Sequence, residues 1–144
     1  MTDKVFVDTN ILVYAHDADA GPKRQRAAAV LRDLWDARSG TLSTQVLQEF
    51  YINATRKIRT PLSPGLAREV VRNYASWVDS SITPDTLLRA SEISETWGLS
   101  FWDGLIVAAA EQNRTARLLS EDLSHGSLIA GVRIVNPFLE PAAE

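Results

Sequence analysis

Lys4-Val5-Phe6-Val7-Asp8-Thr9-Asn10-Ile11-Leu12 begins with a short apolar, β-branched run and halts it on three residues that favour turns and helix caps. A strand feeding directly into a helix is the expected product. The alternation repeats downstream. After Gly21-Pro22, apolar residues at Ala27, Val30, Leu31, Leu34 and Trp35 recur at helical spacing up to Ser39-Gly40. Thr41-Leu42-Ser43 reads as a minimal strand, with Thr44 as the cap of a helix whose apolar face is Val46, Leu47, Phe50, Tyr51, Ala54 and Ile58. Thr60-Pro61 breaks the chain, and Ser63-Pro64 and Thr83-Pro84 each set a hydroxyl capper before a proline suited to the first helical position. Two helices are expected there, ending near Trp77 and Trp97. Ser100 starts a further helix that runs to about Gln112, and residues 116–120 and 132–135 read as strands. Short strands alternating with helices predict an α/β fold of three layers, a mainly parallel central sheet with helices on both faces.

Composition sets the class of chemistry. The chain has 144 residues, 45% hydrophobic and 23% charged, the proportions of one ordinary globular domain, here expected to span residues 1–144. With no cysteine and two histidines, a disulfide framework, a thiol nucleophile and a cysteine- or histidine-rich metal site are all excluded. A net charge of -3 argues against a protein that coats nucleic acid through global positive charge, so any such contact is local. The longest aliphatic run, residues 105–110, is far short of the ~20 residues that span a bilayer, and no basic-then-apolar segment opens the chain. The expectation is a cytoplasmic protein without membrane contact, whose available chemistry is that of carboxylates.

Ligands of an open parallel sheet bind at the carboxyl ends of its strands, so acids there matter most. Asp8 directly follows the first strand, and Asp122 follows the strand that ends near Ser120. Glu49 lies about one turn into the helix after the second strand, and Asp103 in the first turn of the helix begun by Ser100. Each has a local reading as well. Asp8 suits a turn or cap, Ser100-Phe101-Trp102-Asp103 fits a capping box, and Asp122 suits a turn before Gly126, with Glu121 beside it as the competing acid. Glu49 has no basic residue three or four positions away and so lacks a helical ion pair. Gathered in one pocket, four acids would repel one another and rise in pKa unless a cation held them, and all-oxygen ligation selects Mg2+ or Mn2+.

Val7-Asp8-Thr9-Asn10-Ile11-Leu12, Gln45-Val46-Leu47-Gln48-Glu49-Phe50, Ser100-Phe101-Trp102-Asp103 with the aliphatic run after it, and Leu118-Leu119-Ser120-Glu121-Asp122-Leu123 together resemble the PIN domain, most of all bacterial VapC toxins. The likeness covers essentially the whole chain in order. It implies a metal-dependent endoribonuclease with Asp8, Glu49, Asp103 and Asp122 as catalytic and metal-binding acids. Where the family often has Thr-x-Asp, this chain has Ser120-Glu121-Asp122. Thr9, Asn10 and Ser120 would then orient the acids by hydrogen bonds. The implied reaction is in-line attack of water on an RNA phosphodiester with one or two Mg2+ or Mn2+ ions, leaving a 3'-hydroxyl and a 5'-phosphate. The resemblance also implies a cognate VapB-like antitoxin and a homodimer; a helix of the antitoxin would pack near Trp35, Trp77 or Trp97.

The basic cluster Arg56-Lys57-Arg59 ends the helix bearing Glu49 and would guide RNA phosphates, or simply complement the helix C-terminus. His16 and His125 read as surface histidines rather than general acids or bases. Three other classes compete with the toxin: a housekeeping PIN nuclease, an aspartyl-nucleophile phosphatase, and a non-catalytic metal-binding regulatory module. The phosphatase class usually needs an acid two residues after the nucleophile, where this chain has Asn10.

Overall fold

Val5, Phe6 and Val7 are each 2% exposed or less. Successive strand residues point to opposite faces, so a strand buried at every position belongs to a sheet covered on both sides. In the computed structural model, which describes residues 3–139, this strand is β1 (Val5–Val7). It joins β2 (Gly40–Thr41), β3 (Arg117–Leu119), β4 (Leu128–Ile129) and β5 (Val132–Val135) in a sheet of order β2-β1-β3-β5-β4. β1 pairs parallel with β2 and with β3, β3 pairs parallel with β5, and β4 runs antiparallel to β5. The fold is the mainly parallel α/β arrangement that the alternation of elements predicts. The ends of the expected domain, residues 1–2 and 140–144, lie outside the described residues.

Among the described residues, six α-helices flank the sheet: α1 (Thr9–Ala15), α2 (Pro22–Ala37), α3 (Thr44–Ile52), α4 (Pro64–Tyr74), α5 (Pro84–Trp97) and α6 (Phe101–Gln112). None is long and apolar enough to cross a membrane. Hydroxyl cappers begin α4 and α6, with Ser63 accepting from the Leu66 amide and Ser100 from the Asp103 amide, while Thr83 and Thr86 form a capping box at α5. α5 and α6 approach closely at Gly104, where an added Cβ would lie 2.6 Å from the Ala90 carbonyl oxygen. That contact fixes the first turn of α6, and with it Asp103, against α5.

Three local expectations are corrected. The cap of α3 is Ser43, whose hydroxyl accepts from the Val46 amide, and Thr44 is the first helical residue. The strand expected at 41–43 is Gly40–Thr41, because Leu42 turns away to bridge Val78, its N–H donating to the Trp77 carbonyl at 3.0 Å. α6 lacks the capping box read into Ser100 and Asp103: Ser100 caps the Asp103 amide, but no return bond from the carboxylate to the Ser100 amide forms. Two features had no counterpart in the sequence reading. β4 pairs with β5 across Ala130 and Gly131, both at positive φ, a two-residue turn without the Asn-Gly signature that announces such hairpins. α3 also continues into a π-helical turn, Asn53–Lys57.

Candidate active site

Asp8 ends β1 and caps α1, its Oδ1 accepting from the Thr9 N–H at 2.7 Å. Its own amide donates to the Leu119 carbonyl, which ties it to the end of β3. Capping and a place in the site therefore coexist at Asp8. Asp122 follows β3 at the same edge of the sheet; Glu49 reaches in from α3 and Asp103 from the first turn of α6. All four line one cleft of about 490 Å³.

A web of short side chains holds these acids. Ser120 donates its hydroxyl to Asp8 Oδ2 at 2.7 Å and accepts from the Asp122 amide at 3.1 Å, so one residue of β3's end fixes two acids. Thr9 donates its hydroxyl to Glu49 Oε1 at 2.6 Å, and Asn10 donates Nδ2 to Asp122 Oδ2 at 3.0 Å. The second oxygen of Glu49 accepts from Gln45 Nε2, one helical turn earlier, at 3.1 Å. The same nitrogen donates to the Trp102 carbonyl at 3.2 Å, while Gln45 Oε1 is buried with no partner, a loss of about 1–3 kcal/mol.

The electrostatics of the cleft are those of uncompensated negative charge. Burial pushes the Asp8 carboxyl up to about 7 against the hydrogen bonds of Ser120 and the Thr9 amide, and repulsion from Asp122 and Glu49 adds to the rise. Burial also raises Asp103, with the Ser100 hydroxyl opposing and Asp122 and Glu49 repelling. Asp17, on the loop after α1, is a further acid in the lining, and Lys57 is its one basic residue. The four acids fit a hard divalent cation: they offer carboxylate oxygens, and ionisation of Asp8 and Asp103 is unfavourable without added positive charge. In this conformation no three acidic or imidazole groups among the described residues already stand at ligating spacing.

Glu121 faces elsewhere. It accepts from the Tyr14 hydroxyl at 2.5 Å and pairs with Lys23, whose ammonium also lies 5.0 Å from the Tyr14 ring and 5.5 Å from that of Phe138. Burial raises its pKa, but the Lys23 and Tyr14 hydrogen bonds outweigh that and leave it lowered. Of the basic cluster, Lys57 lines the cleft, whereas Arg56 and Arg59 are exposed outside its lining. His16 is not a surface histidine. It is half-buried edge-on to Phe50, which lowers its pKa, chiefly by desolvation and then by Arg24. His125 is exposed and accepts at Nδ1 from the Asn136 amide. Trp77 is 7% exposed and clusters with Trp35 and Tyr74, tilted against the first and edge-to-face with the second, so it offers no docking surface, while Trp35 and Trp97 are exposed. Sequence reasoning passed over Asp17, Gln45 and Trp102. Trp102, 61% exposed on the rim beside Asp103, carried a signal in its place within the acidic motif.

The family model of the PIN domain matches residues 5–126. A search of curated proteins matched none of them. Among solved structures, the chain is similar to a toxin-antitoxin complex from Klebsiella pneumoniae at a TM-score of 0.68 and 19% identity, covering 94% of this chain and 98% of that one. It is similar to FitAB bound to an IR36 DNA fragment at a TM-score of 0.67 and 20% identity, with coverages of 96% and 99%. Mycobacterium tuberculosis VapC20, a sarcin-ricin loop cleaving toxin, matches at a TM-score of 0.59 and 17% identity, with coverages of 83% and 90%. At these identities the structural likeness is one of fold. The family match runs from β1 through the segment after Asp122 and takes in every acid of the cleft, and the chain belongs to the PIN domain family.

Proposed function

We propose that this chain is a Mg2+- or Mn2+-dependent endoribonuclease and the toxin of a VapBC-type toxin-antitoxin pair. The observation that carries the reading is the cleft in which Asp8, Glu49, Asp103 and Asp122 converge with Lys57 as the one basic residue of the lining. Family membership and the likeness in fold to a toxin-antitoxin complex and to a sarcin-ricin loop cleaving toxin point the same way. Asp8, Glu49, Asp103 and Asp122 would hold the cation. When bound, it supplies the positive charge that polarises a phosphodiester and makes hydroxide available near neutral pH.

The chain's own groups do the rest. Ser120, Thr9 and Asn10 restrain Asp8, Glu49 and Asp122 by the bonds already described, which limits how far each carboxylate moves when a cation enters. Lys57 meets an RNA phosphate at the cleft mouth, whereas Arg56 and Arg59 lie outside the lining. A VapB-like antitoxin would neutralise the acidic cleft with an arginine, whose planar fork pairs bidentately with carboxylates. A cytoplasmic homodimer is the expected form.

The test is cleavage of RNA by the purified chain with Mg2+, Mn2+ or EDTA, beside the Asp8→Asn variant. Metal-dependent cleavage that Asp8→Asn loses supports the reading; equal cleavage in EDTA overturns it. Expression with and without the neighbouring open reading frame then separates toxin from housekeeping nuclease. Growth arrest by the chain alone, relieved by a product that binds it, is the expected result.

A further inference from the structure

We propose that Gln45 is the positioning residue that sets Glu49 relative to the first turn of α6, and that the fold tolerates a buried, unpaired carbonyl to keep it there. The inference rests on the metal-dependent reading of the cleft. Gln45 is 4% exposed and lies outside the lining of the cleft, so it acts through Glu49 rather than on a ligand.

Its amide nitrogen spans two elements. It donates to Glu49 Oε2 at 3.1 Å on α3 and to the Trp102 carbonyl at 3.2 Å on α6, immediately before Asp103. Both recipients are acceptors, so the amide has one workable orientation: a flipped Gln45 would aim its oxygen at a carboxylate and a carbonyl. The retained orientation leaves Oε1 buried without a donor. An apolar side chain of the same length would avoid that loss but give up both hydrogen bonds, at about 0.5–1.5 kcal/mol each, so the effects roughly offset and local stability does not single out a glutamine here. What the glutamine does supply is a second anchor for Glu49. With Thr9 holding Oε1 at 2.6 Å from α1 and Gln45 holding Oε2, rotation of the carboxylate is blocked from both sides. Because the Trp102 carbonyl is part of the turn carrying Asp103, the same amide also fixes how far apart Glu49 and Asp103 stand.

The experiment compares the full-length chain with Gln45→Met and Gln45→Leu in three measurements: thermal melting in EDTA, Mn2+ binding by calorimetry, and the Mn2+ concentration giving half-maximal RNA cleavage. The expected result is melting close to the wild-type temperature, with Mn2+ affinity weakened about 10-fold or more and a matching rise in the Mn2+ requirement. Cleavage at saturating Mn2+ should recover towards wild type. A variant that melts well below wild type, or one that binds Mn2+ as wild type does, overturns the inference while leaving the nuclease reading intact. A wild-type chain that neither binds Mn2+ nor cleaves RNA overturns the underlying reading itself, and this inference with it.

Discussion

Glu121 and Asp122 are neighbours in sequence and opposites in environment. Glu121 sits at the corner of α1 and α2 with Lys23 and Tyr14 upon it, and its charge is answered where it stands. Asp122 turns the other way, to Asn10 and the cleft shared with Asp8, Glu49 and Asp103, where Lys57 is the one basic residue in the lining. The contrast separates two uses of a carboxylate. An acid supplied with its own cation stabilises the fold, whereas acids gathered without one store a cost that only an incoming positive charge removes.

The strongest way to break this contrast is at Asp8. Its carboxyl is raised in the folded chain from 3.8 to about 7, so the fold binds that proton more tightly than the unfolded chain does. Stability from this group is therefore fully present below about pH 4 and is lost as pH rises towards 7. Asp8→Asn should raise the metal-free stability at pH 7.5 by on the order of a few kcal/mol and flatten its pH dependence. It should also lower RNA cleavage by roughly 100-fold or more, since the charge that draws the cation is gone. Melting curves in EDTA at pH 5 and 7.5, beside cleavage assays, read both arms. A variant less stable than wild type at pH 7.5 would sink the electrostatic account.

Next in size is the pair itself. Asp122→Asn should cost at least about 10-fold in cleavage, by loss of one of the carboxylates proposed to hold the cation. Glu121→Gln should leave cleavage within about threefold and stability within about 1 kcal/mol, because its ion pair with Lys23 is partly solvent-exposed. Equal losses from both would erase the distinction. Gly104→Ala offers a mechanical test: the Cβ meets the Ala90 carbonyl, so α6 must shift, at about 1–3 kcal/mol of stability and with cleavage reduced through Asp103. Chemical denaturation of the variant measures the first effect, and unchanged stability would show that α5 and α6 yield at no cost. The smallest expected effect belongs to Lys57→Ala, which should weaken RNA binding and lower the slope of log affinity against log salt by about one, with Arg56→Ala and Arg59→Ala each changing it less. Binding titrations at several salt concentrations decide it.

Much of this molecule is written locally. The run from Val5 to Asp8, the Ser63-Pro64 and Thr83-Pro84 starts of α4 and α5, and the Ser100 start of α6 need only neighbouring residues to act, since strand preference and capping work within a few positions. The same locality made the acids legible: in a parallel sheet, a residue directly after a strand lies at the edge where ligands gather. Other features depend on partners far along the chain. Glu121 is turned from the cleft by Lys23, 98 positions away, and Gln45 finds the Trp102 carbonyl across 57. Lys57 lines the cleft while Arg56, its neighbour in the same π-helical turn, and Arg59 beyond it do not, and no residue type announces that turn. Strand preference, the starts of most helices and the places of Asp8 and Asp122 after their strands were thus determined by the sequence alone. Which of two adjacent acids faces inward, which of three basic residues lines the cleft, and what holds Glu49 were decided only by tertiary structure, because each turns on a contact that exists only once distant segments are packed together.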